Sequence, residues 1–548
     1  MHPSVAERLA RLAPDQRAAA TAPDGPVLCV APAGSGKTTT LVARVAWLAD
    51  RCVAASSITV VAFNKRAAEE LVERLDVALE PLGGTASGDG GVRVRTFHAL
   101  GREILAEAGV DVSALVDRDA VVRALWPELP AADRGRLDLA FSRLKLDLRV
   151  DVEAVAADVA AGPVARAWVA YERSLRADGS LDFDDLVLRA LRRLEADPTT
   201  LARWRGRCAQ LLVDEAQDLD RTQLDLALLL AAPANRVFLV GDDDQTVYGW
   251  RLADVRRVLG LAASLPGLRR VDLETNYRCP PPVVARAVRL VEHNGERFVK
   301  RIVAGPRNAG RLVLAPDAAD DIVRVDRAMG SWPDDGGTRA VLARTNRELL
   351  VPLVAAVVRG WPFRAPDIAL PVEDPRIDRL LERAAAADAA DPLVALARLR
   401  SDLRTAEAAD PPDDPDAPTE ADLATALLGW AAPLASIDAL RREVAAFRAR
   451  LADLRRDDAP LTLATAHGTK GLEWDHVVVL ADGFPGRRSI ADAAEPARAL
   501  EEERRLAYVA WTRARRSLTL LFDPAAPTPF LLEAFDPREL GIGGARAA

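Results

Sequence analysis

Lysine is scarce in this sequence. Only five of its 73 basic residues are Lys (Lys37, Lys65, Lys145, Lys300 and Lys470); the others are Arg. In a chain so shifted towards guanidinium, a position that keeps a compact ammonium is a candidate for needing one. Three of the five fall inside the motifs described below. Tyrosine is nearly as rare, with four residues, and Tyr248, Tyr277 and Tyr508 sit in motifs. Cysteine is confined to Cys29, Cys52, Cys208 and Cys279, with no CxxC spacing. That argues against a zinc or iron–sulfur site, and isolated thiols suit a reducing cytoplasm. No apolar run reaches the length of a membrane span. The opening MHPSVAERLARLAPDQ is amphipathic and charged, unlike a secretory signal. A positive net charge is also missing. The formal charge of −8 gives no hint of nucleic acid, although a basic cleft is compatible with it. These absences predict a cytoplasmic protein with no membrane partner.

The chain has 548 residues, 49% of them hydrophobic and 28% charged, enough for three or four domains with sizeable cores. Short apolar runs at 26–31, 58–63, 92–97, 209–214 and 236–241 read as strands. Helical patterns separate them, which predicts an α/β fold with a parallel sheet covered on both faces. Residues 101–185 interrupt this pattern and read as a helical insertion. A second α/β pattern begins after about residue 272, with strands expected at 311–315, 339–344, 461–466, 476–481 and 517–522. It lapses between 366 and 458, an Ala/Asp/Arg-rich helical stretch broken by the Pro/Asp run 408–422, which is expected to be a mobile loop.

The segment APAGSGKT (31–38) stands between a strand and a helix. It fits GxxxxGK[ST] except that Ala31 replaces the first Gly. Glycines let backbone N–H groups close around phosphate oxygens, Lys37 brings a mobile positive charge to the outer phosphates, and Thr38 offers a hydroxyl to Mg²⁺. The helix that follows points its positive end at the anion. Ala33, Gly34, Ser35, Gly36, Lys37, Thr38 and Thr39 are therefore candidate nucleotide contacts, with ATP and Mg²⁺ as the implied ligand and cofactor. In LLVDEAQD (211–218), Asp214 ends an apolar strand, where a carboxylate can hold Mg²⁺ together with Thr38. Glu215 is then placed to orient or deprotonate an attacking water.

With these two motifs, further segments follow the order of the UvrD/Rep/PcrA-type superfamily 1A DNA helicases, which most of the chain resembles. LAPDQRAA (12–19) resembles their adenine-reading segment, implying base recognition by Gln16. AFNKRAAEEL (62–71) and VRVRTFHALG (92–101) resemble DNA-contacting motifs, implicating Phe63, Thr96 and His98. LDFDDL (181–186) is a family signature where the helical insertion rejoins the sheet. VGDDDQTVYGWR (240–251) implies a γ-phosphate sensor at Gln245 and DNA contacts at Tyr248, Trp250 and Arg251. LETNYRCP (273–280) implies Tyr277 against adenine and Arg278 on the γ-phosphate. TAHGTKGLEWDHVVV (465–479) implies a ribose contact at Glu473 and places His467 near DNA. EEERRLAYVAWTRAR (501–515) supplies Arg513 as a second arginine finger, and PTPFL (527–531) resembles the closing PSxFL.

The resemblance implies two RecA-like parallel-sheet domains, each carrying a helical insertion, the second one reduced. Domain 1A would be 1–100 and 186–272, with insertion 1B at 101–185. Domain 2A would be 273–365 and 459–548, with a 2B-like insertion at 366–458. It further implies an ATP-dependent 3′→5′ helicase acting on single-stranded DNA and single/double-strand junctions. The chain departs from the pattern at Pro32, at Thr39, in FPGRRS (484–489), and in a short hairpin expected between 517–522 and 527–531. With the second insertion reduced as well, two alternatives stand beside the autonomous helicase. One is a DNA-stimulated translocase that separates strands poorly without a protein partner or a second copy. The other is a nucleotide-dependent regulatory subunit.

Overall fold

The apolar runs become strands because their side chains fill cores on both faces of a sheet. The computed structural model describes residues 1–541 except 89, 159, 307–308, 367–372, 388–390, 410–417, 432–433, 487–489, 491–492 and 494. Much of the Pro/Asp run and the end of FPGRRS thus lie outside the described residues. The first sheet has the strand order Arg93–Thr96, Ile58–Ala62, Gln210–Val213, Val237–Gly241, Val27–Val30, Arg269–Asp272. Every pairing in it is parallel. Alternate residues enter different cores: Val27, Cys29, Val60, Leu212 and Phe238 on one face, Leu28, Val30, Val61, Leu211 and Leu239 on the other. This period of two, with both phases apolar, is what a doubly covered parallel sheet requires.

The second sheet is also parallel, in the order Phe363–Arg364, Leu461–Thr465, Arg339–Ala343, Trp474–Leu480, Ala514–Phe522, Arg311–Pro316. Two strands of these six-stranded sheets went unforeseen, as did the separate pair Thr275–Asn276 and Val303–Ala304. Arg269–Asp272 reads RRVD and lies partly exposed at a sheet edge, so it lacks an apolar run. Phe363–Arg364 is too short to show a period. The expected hairpin near the C-terminus is not formed among the described residues. Ala514–Phe522 pairs in parallel on both sides, and the chain then turns into the helix Pro529–Ala534.

The chain divides into two compact units, Met1–Thr275 with Glu296–Ile302, and Asn276–Gly295 with Val303–Ala548. Sequence patterning put the division near 272 and gave no sign that 296–302 returns to the first unit. In the second unit the helices Arg376–Ala385, Pro392–Ala409, Glu420–Ala431 and Ile437–Leu454 build no separate core among the described residues. Leu380, Leu396, Leu427, Trp430 and Phe447 join Val341, Phe363, Leu461 and Leu463 of the sheet in one cluster.

In the first unit, the regular elements among the described residues of 101–185 are helices, with one isolated bridge between Leu115 and Leu181. The LDFDDL signature has a clear physical role there. Asp182 caps the helix Phe183–Ala196, accepting from Asp185 N at 2.9 Å. It also receives the Lys145 ammonium, the Arg118 guanidinium and the Tyr171 hydroxyl, each at 2.8 Å. Burial opposes the charge on Lys145, but Asp182, Asp185 and Glu172 outweigh it and raise its pKa.

Candidate functional site

In the first unit the loop after Val27–Val30 leads into the helix Lys37–Asp50. Gly36, which precedes that helix, has φ 85°, and Gly34 has φ 69°, a region in which a side chain is strained. A Cβ at Gly36 would also lie 2.6 Å from the Gln16 amide nitrogen. That amide donates to Ser35 O at 2.8 Å and accepts from Ala13 N at 3.1 Å, so Gln16 braces the loop with both ends. The Ser35 hydroxyl is buried and finds no partner among the described residues. An orphan donor just before a helix N-terminus suits an anion such as a phosphate. Ala33 is buried, Thr38 half-buried and Thr39 exposed.

Lys37 Nζ lies 3.1 Å from Glu215 Oε2, both side chains being mostly buried. Glu215 follows the strand Gln210–Val213 and holds φ 51°, ψ 45°, an unusual left-handed backbone for a non-glycine residue. Strain of this kind persists only where the surroundings fix it. Here Gln217 Nε2 donates to Glu215 Oε2 at 2.6 Å, and Gln217 Oε1 accepts from Asp242 N at 3.0 Å. Gln245 Nε2 donates to the Asp242 carboxylate at 2.7 Å. A continuous polar chain therefore runs from Lys37 through Glu215, Gln217 and Asp242 to Gln245. Asp214 is buried beside it and accepts from Glu215 N at 3.0 Å. Among the described residues no group of three His, Cys, Asp or Glu could hold a metal ion. Thr38 and Asp214 suit a cation only where other ligands, such as phosphate oxygens and water, complete its shell.

The segment that carries Gln245 continues into an aromatic file. Phe63 stacks on Tyr248 at 5.1 Å, Tyr248 meets Trp250 edge-on at 6.1 Å, and Arg251 lies 4.6 Å over Trp250. Trp250 is 52% exposed, so the file ends in solvent rather than in a core. Thr96 caps the helix Phe97–Glu107 through Ala99 N, and His98 packs 4.6 Å from the ring of Phe183. Burial lowers the pKa of His98. Sequence reasoning took LDFDDL only as a signature and missed Phe183, an exposed aromatic beside His98. An unexplained Phe between two acids was the available signal.

The second unit brings together Arg278 and Glu473. They form a close ion pair, and Arg515 binds the other Glu473 oxygen at 2.5 Å. Burial opposes the Glu473 charge, but Arg278 and Arg515 outweigh it and lower its pKa. The turn before Arg278 is set by Asn276, whose side-chain oxygen accepts from the backbone N–H groups of Arg278 and Cys279, both at 2.8 Å. Tyr277 is 45% exposed. Arg513 is buried, donating to Val509 O at 2.9 Å and Leu472 O at 3.3 Å. Burial, reinforced by Arg344, pushes His467 down to about 4, so it is neutral near pH 7.

Residues 12–266 match the UvrD/REP helicase N-terminal domain, and residues 440–523 match the UvrD-like helicase C-terminal domain. DNA helicase II of Escherichia coli K12 is 30% identical over 371 residues, covering 64% of this chain and 50% of that protein. The ATP-dependent DNA helicase Rep of the same strain is 32% identical over 306 residues, 53% of this chain and 45% of that protein. The ATP-dependent DNA helicase PcrA of Staphylococcus epidermidis is 31% identical over 302 residues, 52% and 40% of the two chains. The chain spans about half the length of these relatives or less.

Proposed function

We infer, for a chain that belongs to the UvrD/REP helicase family, that it is an ATP-hydrolysing motor moving along single-stranded DNA. One observation carries the reading. The segment 240–251 holds Gln245, wired to Glu215 through Asp242 and Gln217, and a few residues later the exposed end of the aromatic file. A change in contact with a strand at Tyr248 and Trp250 then has a short covalent and hydrogen-bonded path to the hydrolytic groups.

In this reading the loop Ala33–Thr39 cradles the phosphates of ATP; Thr38 and Asp214 would hold Mg²⁺, which would supply charge neutralisation at the phosphates. Lys37 leaves Glu215 to bind phosphate, which frees the carboxylate to take a proton from water. Gln245 holds the γ-phosphate side of the site. Arg278 and Arg513 act as fingers on developing negative charge, while Tyr277, Glu473 and Gln16 contact the nucleoside. Phe63, Tyr248 and Trp250 offer faces to successive bases, with Arg251, Thr96 and His98 as further contacts of the first unit, and the family resemblance implies a DNA contact for His467 of the second. Base stacking of this kind is worth about 1–3 kcal/mol per base. The family resemblance implies 3′→5′ travel, and the domain roles 1A, 1B, 2A and 2B follow the boundaries given above.

A second reading has its own support. The described helices between 376 and 454 share the core of the second sheet, so among the described residues they form no independent body of the kind a duplex-gripping domain would need. With no hairpin after Ala514–Phe522 among the described residues, this favours a translocase that unwinds weakly unless a protein partner or a second copy assists. The test is the ATPase rate with and without single-stranded oligonucleotide. Strong stimulation is expected, and an unchanged rate overturns the motor in favour of a nucleotide-dependent regulatory subunit.

A further inference from the structure

Asp242, Asp243 and Asp244 are consecutive and all buried, with side chains fully shielded from solvent or nearly so. Three carboxylates in so small a volume repel strongly and are tolerated only with matched cations. Both cations come from the returning segment Glu296–Ile302. Lys300, whose side chain is 0% exposed, places its ammonium 2.8 Å from Asp242 Oδ1, 2.5 Å from Asp243 Oδ1 and 2.9 Å from Asp244 Oδ2. Arg297 holds Asp244 with two donors at 2.9 and 2.8 Å. Phe298 N adds a bond to Asp243 at 2.8 Å.

An ammonium has three N–H donors, and here three carboxylates converge on it. A planar guanidinium cannot address three acceptors around one point, which gives a reason for Lys at this position in a chain that otherwise uses Arg. Burial of ions is a poor way to gain stability compared with apolar packing, so the useful question is what the cluster holds in place. Asp242 is its junction. One carboxylate oxygen meets Lys300, the other accepts from Gln245 Nε2 at 2.7 Å, and the backbone N–H reaches Gln217 and thence Glu215.

We propose that Lys300 is a positioning residue for ATP hydrolysis, fixing Asp242 and through it the amide of Gln245. The proposal rests on the motor reading above. Lys300 touches neither nucleotide nor DNA, and its effect is on the rate of the chemical step rather than on ATP binding.

The test uses the full chain and compares Lys300→Arg, Gln245→Ala and the double variant. ATP turnover is measured with and without a single-stranded oligonucleotide, with thermal unfolding as the fold control. Each single variant is expected to lower stimulated kcat by about tenfold, with KM for ATP within about threefold of the parent. The double variant is expected to be no slower than Gln245→Ala, because the lysine acts through that amide. Normal kcat in a folded Lys300→Arg protein, or losses that multiply in the double variant, would overturn the proposal. If Lys300→Arg does not fold, Lys300→Met combined with Asp243→Asn removes one charge of each sign and takes its place beside Gln245→Ala. Normal kcat, or multiplying losses, would again overturn the proposal. An unmodified protein whose hydrolysis ignores the oligonucleotide defeats the motor reading itself, a distinct outcome.

Discussion

Replacing Glu215 by Gln should slow hydrolysis while tightening ATP binding, an unusual combination that follows from one contact. Lys37 rests 3.1 Å from Glu215, with side chains only 13% and 16% exposed. Binding ATP through Lys37 means breaking that pair. An exposed pair is worth under about 1 kcal/mol, and stripping a partner from a buried one costs about 3–5 kcal/mol. This half-buried pair lies between, so about 1–2 kcal/mol of the binding energy goes into freeing the lysine. A glutamine side chain has the same shape as the glutamate and can still accept from Gln217, but it holds no charge against Lys37. ATP affinity should therefore rise by about five- to thirtyfold. Loss of the general base should lower kcat by about 10²–10⁴-fold. Fluorescent-nucleotide titration measures the first quantity and single-turnover hydrolysis the second. Weaker nucleotide binding in a folded Glu215→Gln protein would refute the reasoning, since it would give the carboxylate a structural role in the loop.

Lys37→Ala should leave the protein folded, melting somewhat lower because Glu215 loses its cation, and abolish ATP turnover; near-normal hydrolysis would remove the loop from the site. Arg278→Ala should cut turnover by about 10³-fold or more with a much smaller change in ATP affinity, measured by steady-state kinetics. Arg513→Ala should lose turnover similarly and also melt lower, because its guanidinium satisfies the Val509 and Leu472 carbonyls. Trp250→Ala should weaken single-strand binding by about 1–3 kcal/mol in a fluorescence titration. Aggregation of that variant instead would mark Trp250 as packing. The isolated protein should displace a blocking protein from a single strand yet unwind a 3′-tailed duplex poorly; robust unwinding of long duplexes by a monomer would contradict this.

The inner strands were legible because they are apolar in both phases, a pattern that survives in one sequence, and the edge strand Arg93–Thr96 because it alternates apolar and charged residues within VRVRTF. Arg269–Asp272 was not, since an edge strand exposed on its flank carries no such signal. The phosphate loop, Asp214 and Glu215 were readable from local spacing. What spacing could not convey was pairing: that Lys37 rests on Glu215, that Arg278 rests on Glu473, or that Lys300 answers three aspartates more than fifty residues earlier. Charge burial has no periodicity, so a run such as DDDQ reads as a solvated turn until a distant cation is found beside it. Phe183 was hidden for a related reason, because exposure of a single aromatic depends on what the tertiary fold leaves uncovered.

The scarcity of lysine has a practical side. Lys145 and Lys300 are sealed in their carboxylate cages at 1% and 0% exposure, and Lys37 is 13% exposed. Lys470 is half-buried. Lys65, at 90%, stands two residues after Phe63 and far outstrips the others in access to solvent. Apart from the terminal amine, an amine-reactive dye applied to the native protein should concentrate at that one side chain, beside the aromatic file. The chain thus carries a nearly site-specific attachment point without engineering, and protection of Lys65 from acylation by an added oligonucleotide would read out strand occupancy directly.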